Sequence, residues 1–351
     1  MRTTIFFNRS TVYNPGIFFV LFLLVLASSA KAQPELQIAN IGDLKLENGE
    51  TLYNCKVGYR IFGRLNETKS NAILYPTWFG GTSEEIQYSI GKGRFIDSAK
   101  YCIIAVDALG NGISSSPSNY EKGKENFPDI SIRDMVNSQF KLVTDELGLN
   151  NLYALVGGSM GSMQVFEWTI AYPGFVKKAI PYAPAPYCTS YDLLRWNIYL
   201  HIIESGRKAE MPDKDIYKTL NMLSYHSATT PEERNARIKR EEFDSFFKTF
   251  DKEPSNVFTL DDWRCLVKAM IKHDITRLFN GSLEETAKAV KTKFFIIISE
   301  TDHVLIPTPA IKFAEALNCK LLRLTNNCGH LAPGCDMEKV SQAMSDFLDS
   351  E

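Results

Sequence analysis

The stretch 151–168, NLYALVGGSMGSMQVFEW, requires a buried strand to turn at once into a helix, and few folds accommodate that. Leu152, Tyr153, Ala154, Leu155 and Val156 form a nearly continuous apolar run, as expected of a strand covered on both faces. Gly157-Gly158-Ser159-Met160-Gly161 follows and fits the pattern G-x-S-x-G. Such a turn leaves no room for side chains beside it, so glycines flank a serine held in a strained backbone conformation. The outcome is a hydroxyl raised above a sheet edge, next to the N–H groups of a helix N-terminus. Met163, Val165, Phe166 and Trp168 then give the helix an apolar side. The bland alternative is a glycine-rich turn with an idle serine.

The rest of the chain repeats this strand–helix rhythm. Residues 36–65 alternate loosely about Asn48-Gly49, which predicts a leading hairpin. Residues 71–78 and 101–109 read as strands, the first ending in Phe79-Gly80-Gly81-Thr82. Residues 130–147 have helical spacing and stop at Gly148. A strand at 176–185 comes after the turn region. Near the end, strands at 293–299 and 320–324 alternate with helices at 309–317 and 336–348. This order predicts an α/β fold with a mostly parallel sheet and helices on both faces. From 189 to 290 the character changes to helix formers mixed with aromatics and charges, with expected helices at 193–203, 213–223, 232–249 and 260–273. We read this as a helical lid inserted over the sheet edge, between core segments 33–188 and 291–351.

The amino terminus stands apart. Arg2 and Arg9 precede the apolar run IFFVLFLLVLA at 17–27, and Ala30-Lys31-Ala32 supplies an A-x-A site before Gln33. Residues 1–32 therefore read as a secretory signal peptide, too short to span a bilayer comfortably, with an uncleaved anchor as the alternative. The expected protein is exported, periplasmic or secreted, with no stable membrane span. A net charge of −2 gives no reason to expect a nucleic-acid partner. Seven cysteines leave at least one free thiol in a monomer. Cys328 and Cys335 bracket Gly329-His330, and an oxidising compartment would allow them to pair. There is no C-x-x-C pair and the five histidines are scattered, so neither a metal nor another cofactor is expected. Asn66 and Asn280 lie in glycosylation sequons, which matter only in a eukaryotic host.

A serine hydroxyl needs a base to take its proton, and the base works best when an acid orients it. Asp302 comes just after the strand 293–299, and His330 just after the strand 320–324. With Ser159 they follow the chain order serine, acid, histidine. Glu300 is an alternative acid, and His303 a less favoured base because sequence neighbours point apart. The oxyanion of an acyl-transfer intermediate needs two backbone donors. One would be the N–H of Met160. The other would come from the loop after the strand 71–78, at Trp78 or Phe79, where Gly80 and Gly81 allow close approach.

Several segments resemble the homoserine O-acetyltransferase family of the α/β-hydrolase superfamily: ENGETL at 47–52, YRIFGRLN at 59–66, NAIL at 71–74, FPDISIRDMVNSQ at 127–139 and GGSMGSMQVFEW at 157–168. The similarity covers most of the chain beyond residue 33. It implies an α/β-hydrolase fold and a double displacement in which serine takes an acyl group and passes it on. The family's serine, aspartate and histidine fall on Ser159, Asp302 and His330. Two departures stand out. Ser162 replaces a usual glycine, and His201 falls where the family's insertion helix carries an arginine suited to a carboxylate. His201 and Tyr187 are the expected substrate contacts. Family analogy also implies a homodimer through the lid.

Three functions fit these residues. The first is an exported hydrolase of a small-molecule acyl ester. The second is an acyltransferase from acetyl-CoA to homoserine or another alcohol. The third is a non-catalytic binding protein of the same fold. Loss of the arginine and the leader sequence both favour water as acceptor, and occupation of all three catalytic positions disfavours the third reading.

Overall fold

Parallel strands buried on both faces must be apolar along their whole length, and these are. In the computed structural model, which describes residues 34–251 and 257–350, the strands β3 (Ala72–Pro76) and β4 (Cys102–Val106) have every residue buried. The expected leader, 1–32, lies outside the described residues. Before β3 and β4 come β1 (Gln37–Lys45) and β2 (Thr51–Phe62), which pair antiparallel as the predicted hairpin. Gly49 closes their turn at φ 89°, a conformation glycine adopts without steric cost. After them come β5 (Leu152–Gly158), β6 (Val176–Tyr182), β7 (Lys293–Ser299) and β8 (Lys320–Leu324).

The strands form one sheet in the order β1-β2-β4-β3-β5-β6-β7-β8. From β4 to β8 every pairing is parallel, and β2 joins antiparallel. Alternate residues face opposite sides: Leu74 and Ile104 belong to one apolar layer, Ile73 and Ile103 to the other. The first layer packs against α1 (Ile132–Lys141), α2 (Met160–Ala171) and a later helix, Thr308–Leu317, through Phe166, Trp168 and Phe313. The second packs against the closing helix, Met337–Asp349, through Val340 and Met344. This is the expected α/β architecture. It places the carboxyl ends of β3, β5, β6, β7 and β8 along one edge, where ligands of such sheets bind.

Between β6 and β7 run α3 (Ser190–Lys208), α4 (Asp213–Ala228), α5 (Pro231–Arg237), α6 (Phe243–Phe247), α7 (Leu260–Ile271) and α8 (Leu283–Ala289). Capping boxes start α3 at Thr189/Asp192 and α7 at Thr259/Asp262. The helix expected at 232–249 is broken. Ile238 leaves the helical region (φ −128°, ψ 108°), and the Lys239 N–H donates to Glu242 Oε2 at 3.1 Å, starting a new turn. The polar run 234–237 has no apolar face to bury, and propensity alone does not hold a short helix together. Helix α8 was not expected; Ser282 caps it, accepting from the Glu285 N–H at 3.2 Å.

Candidate active site

The turn between β5 and α2 is as crowded as its glycines imply. A Cβ on Gly158 would lie 2.1 Å from the Tyr182 ring, and one on Gly161 2.7 Å from the Pro76 carbonyl oxygen. Ser159, wedged between them, has φ 54° and ψ −126°. Such strain is held in place by its surroundings. The Ser159 N–H donates to Tyr182 O at 3.1 Å, and its carbonyl accepts from Ser162 N at 2.8 Å and Ser162 Oγ at 2.5 Å. Ser162 thus uses its hydroxyl to brace the turn where the resembling family has glycine.

Asp302 follows β7 and is almost fully buried. One oxygen, Oδ1, accepts from the N–H groups of Val304 at 2.8 Å and Leu305 at 3.1 Å. The other, Oδ2, lies 2.7 Å from His330 Nδ1. A carboxylate only accepts, so Nδ1 carries the proton and Nε2 presents its lone pair. That Nε2 is 2.9 Å from Ser159 Oγ. The structure therefore brings Ser159, His330 and Asp302 into one hydrogen-bonded chain. Glu300, the alternative acid, is exposed and pairs instead with Arg323 at 3.3 Å. His303 is exposed and does not enter the chain.

The His330 loop is fixed from three sides. Thr301 Oγ1 donates to Asn326 O at 2.9 Å, tying it to the Asp302 loop. Thr230 Oγ1, at the start of α5, donates to Asn327 O at 2.8 Å. A disulfide joins Cys328 to Cys335 across the histidine, so the two cysteines pair as the spacing allowed.

Above Ser159 lies a cavity of about 300 Å³. Its walls come from the sheet edge (Ser159, Tyr182, His330), from the loop after β3 (Trp78, Phe79) and from α3 and α4. Phe79 packs edge-on to Trp263 at 5.2 Å and stacks with Trp196 at 6.4 Å, fastening that loop beneath the helices. Met160, the other expected oxyanion donor, is buried at the first position of α2. Among the described residues, the N–H groups of Trp78 and Phe79 donate to no other group.

Neither expected substrate contact lines the cavity. His201 is exposed, with Nε2 3.4 Å from Ser205 Oγ. The face of α3 turned inward carries Arg195, Trp196, Tyr199 and Ile203, and two positions past Tyr199 rotates His201 about 200° around the helix. Tyr187 is half-buried and forms an isolated bridge with Asp274, away from the cavity.

Arg195 takes the place expected of His201. It is buried and lines the cavity, its Nη2 donates to Tyr199 Oη at 2.8 Å, and its Nε has no partner among the described residues. Its guanidinium lies 5.5 Å from the Trp196 ring centre and 5.3 Å from that of Tyr199. Sequence reading missed it, although the four-residue spacing of Arg195, Tyr199 and Ile203 was visible. The cavity thus does contain an arginine, and its expected loss at His201 no longer favours water as acceptor. Tyr182 was also missed; its hydroxyl is 2.6 Å from that of Tyr75, and burial raises both phenols, Tyr75 to about 12, so neither serves as a base near neutrality.

Comparison with known proteins agrees with this architecture. The family described as "alpha/beta hydrolase fold" matches residues 74–333. An ethyl acetate hydrolase of Pseudomonas veronii is 30% identical over 87% of this chain and 92% of its own length. A homoserine O-acetyltransferase of Methanohalobium evestigatum is 29% identical over 87% of this chain and 71% of its own. The crystal structure of an acetylester hydrolase from Corynebacterium glutamicum superposes with a TM-score of 0.80, at 26% identity, covering 92% of this chain and 98% of that one.

Proposed function

The chain belongs to the alpha/beta hydrolase fold family and is an enzyme of its hydrolase or O-acyltransferase type, and from that premise we propose that it hydrolyses small acyl esters through an acyl-enzyme on Ser159. The observation that carries the reading is the chain Asp302–His330–Ser159, open to a mainly apolar cavity. Ser159 Oγ attacks the ester carbonyl carbon as its proton passes to His330 Nε2, and Asp302 stabilises the imidazolium. The negative charge on the carbonyl oxygen is met by the N–H of Met160 and that of Trp78 or Phe79. As the intermediate collapses, the C–O bond to the alcohol breaks and the alcohol leaves with the proton from His330. Water then gives its proton to the same nitrogen, attacks the acyl carbon and releases the acid, restoring the Ser159 hydroxyl.

Relatives named for ethyl acetate and acetyl ester hydrolysis support water as acceptor and a short acyl group. A second reading is transfer of the acyl group to an alcohol that bears a carboxylate. Arg195 favours it, since a buried guanidinium with no acidic partner among the described residues would take an anion well. The two are separated by giving purified enzyme p-nitrophenyl acetate or acetyl-CoA, with and without homoserine, beside a Ser159→Ala control. Release of acetate independent of homoserine supports hydrolysis. CoA release that depends on homoserine overturns it in favour of transfer.

Export is part of the same proposal. It rests on Arg2, Arg9, the apolar run at 17–27 and Ala30-Lys31-Ala32, and the Cys328–Cys335 disulfide suits an oxidising compartment. Among the described residues no helix is long and apolar enough to cross a membrane. Amino-terminal sequencing of protein made in its natural host tests this: a start at Gln33 in the exported fraction supports it, and an intact Met1 in the cytoplasm contradicts it.

A further inference from the structure

Three side chains and two backbone carbonyls form a buried relay beneath the catalytic edge. Trp168 Nε1 donates to Gln139 Oε1 at 2.7 Å, and Gln139 Nε2 donates to Gln164 Oε1 at 2.6 Å. Gln164 Nε2 then donates to two carbonyls, Thr77 O at 3.0 Å and Met160 O at 3.2 Å. All three side chains are completely buried. The direction of this relay is fixed by chemistry. An indole N–H can only donate, so it compels Gln139 to present its oxygen, and the amide of Gln139 compels Gln164 to do the same. The NH2 of Gln164 is left facing two carbonyls, which can only accept. Neither carboxamide can flip without placing like groups together.

The consequence falls on Trp78. Thr77 C=O and Trp78 N–H belong to one planar trans peptide, so they point in opposite directions. Whatever anchors the carbonyl also aims the N–H. The peptide between Ser159 and Met160 is anchored by the first turn of α2, through Ser162 and Met163. The Thr77–Trp78 peptide lies in a loop, where no helix supplies that anchor, and its carbonyl is held by Gln164 alone among the described residues. By also holding Met160 O, one carboxamide ties the β3 loop to the helix that begins at the nucleophile.

We propose that Gln164, kept in orientation by Gln139 and Trp168, is a positioning residue that aims the Trp78 N–H at the oxyanion and sets its spacing from the Met160 N–H. The proposal rests on the reading of Ser159 as nucleophile. Misplacing a preorganised donor acts on the transition state, not on ground-state binding, so it should lower kcat and leave KM nearly unchanged.

The experiment is steady-state hydrolysis of p-nitrophenyl acetate by Gln164→Met, Gln164→Glu and Trp168→Phe, with folded enzyme counted by circular dichroism and fluorophosphonate titration. Gln164→Met keeps the length and removes the hydrogen bonds; its kcat should fall by about tenfold to a hundredfold, less than the loss of a whole oxyanion donor. KM should stay within about threefold, and the pH at which activity rises should not move, since His330 and Asp302 are untouched. Gln164→Glu should be at least as impaired, because a carboxylate cannot donate to the two carbonyls. Trp168→Phe only frees the amide order and should lose about threefold in kcat. If Gln164→Met does not fold, the kcat of Trp168→Phe decides. Per-site kcat within about twofold of the parent in the folded variants overturns the proposal, as does a loss confined to KM or to thermal stability. Ser159→Ala run in parallel separates the two claims: full activity there defeats the nucleophile reading itself, whereas a dead Ser159→Ala beside a normal Gln164→Met defeats only this inference.

Discussion

His330 Nε2 lies 2.9 Å from Ser159 Oγ, although 171 positions separate the two residues along the chain. Two separate crossovers of one parallel sheet deliver them to the same edge, from the ends of β5 and β8. The contact is therefore a product of topology, and it depends on the orientation that Asp302 imposes on the imidazole.

Replacing Asp302 by Asn tests that dependence. An amide facing Nδ1 favours the wrong tautomer and cannot stabilise the imidazolium. Turnover of p-nitrophenyl acetate should fall by about a thousandfold or more, with KM little changed. A loss smaller than about tenfold would show that Asp302 does not orient the base.

Arg195 sets the expected response to charge in the substrate. Arg195→Gln should lower kcat/KM for an acetyl ester bearing a carboxylate by about tenfold to a hundredfold, the range for a hydrogen bond to a charged group. A neutral ester of the same size should change by less than about threefold. Equal losses on both esters would mean that Arg195 supports the fold of the cavity and not the recognition of an anion.

The disulfide across His330 should matter for stability and for rate together. A loop this short is worth about 2 kcal/mol by chain entropy, so Cys328→Ser/Cys335→Ser should unfold at lower temperature. Because the bridge confines the turn that carries the base, kcat should also fall. Treatment of the parent enzyme with a dithiol should reproduce both effects, and the double variant should not respond to it. An unchanged kcat in the double variant would leave the bridge with a stabilising role only.

Acid should weaken the fold through Glu167. Burial pushes its pKa up, but the Arg277 guanidinium bonded to it, at 2.6 Å, and the charge of Arg133 outweigh burial and hold it below the usual carboxylate range. A depressed folded-state pKa contributes stability above the unfolded pKa, and that stability is lost as pH falls through the folded value. Thermal midpoints of the parent should therefore drop on acidification below about pH 4.5. Glu167→Gln should be less stable at neutral pH by about 3 kcal/mol, since it takes from Arg133 its carboxylate partner among the described residues and leaves Arg277 with Glu47, and should show a flatter acid limb. Parallel limbs in the two proteins would assign the acid response to other carboxylates.

Much of this was legible in the chain because the signals were local. The strands β3, β4 and β7 announced themselves as unbroken apolar runs, and the β5–α2 turn as glycines around a serine. Asp302 and His330 could be picked out because each follows a strand at its carboxyl end, a position the topology makes meaningful. What stayed hidden depended on which way a helix faces. His201 and Arg195 sit on one helix, six residues apart, and only the packing of α3 against the cavity shows that Arg195 points in and His201 out. The break at Ile238 was missed for a related reason. The stretch 232–249 is rich in helix formers, but its continuity needed an apolar face that residues 234–237 do not supply.

The central claim is that the acyl group spends part of each cycle on one oxygen, Ser159 Oγ. The most direct measurement mixes the enzyme with excess p-nitrophenyl acetate, quenches it in acid during turnover and locates the added acetyl by peptide mass spectrometry. The account predicts acetylation of the peptide containing Ser159, absent from Ser159→Ala. Continued turnover with no acetyl on that peptide, or an acetyl found on another residue and lost when that residue is changed, would contradict it.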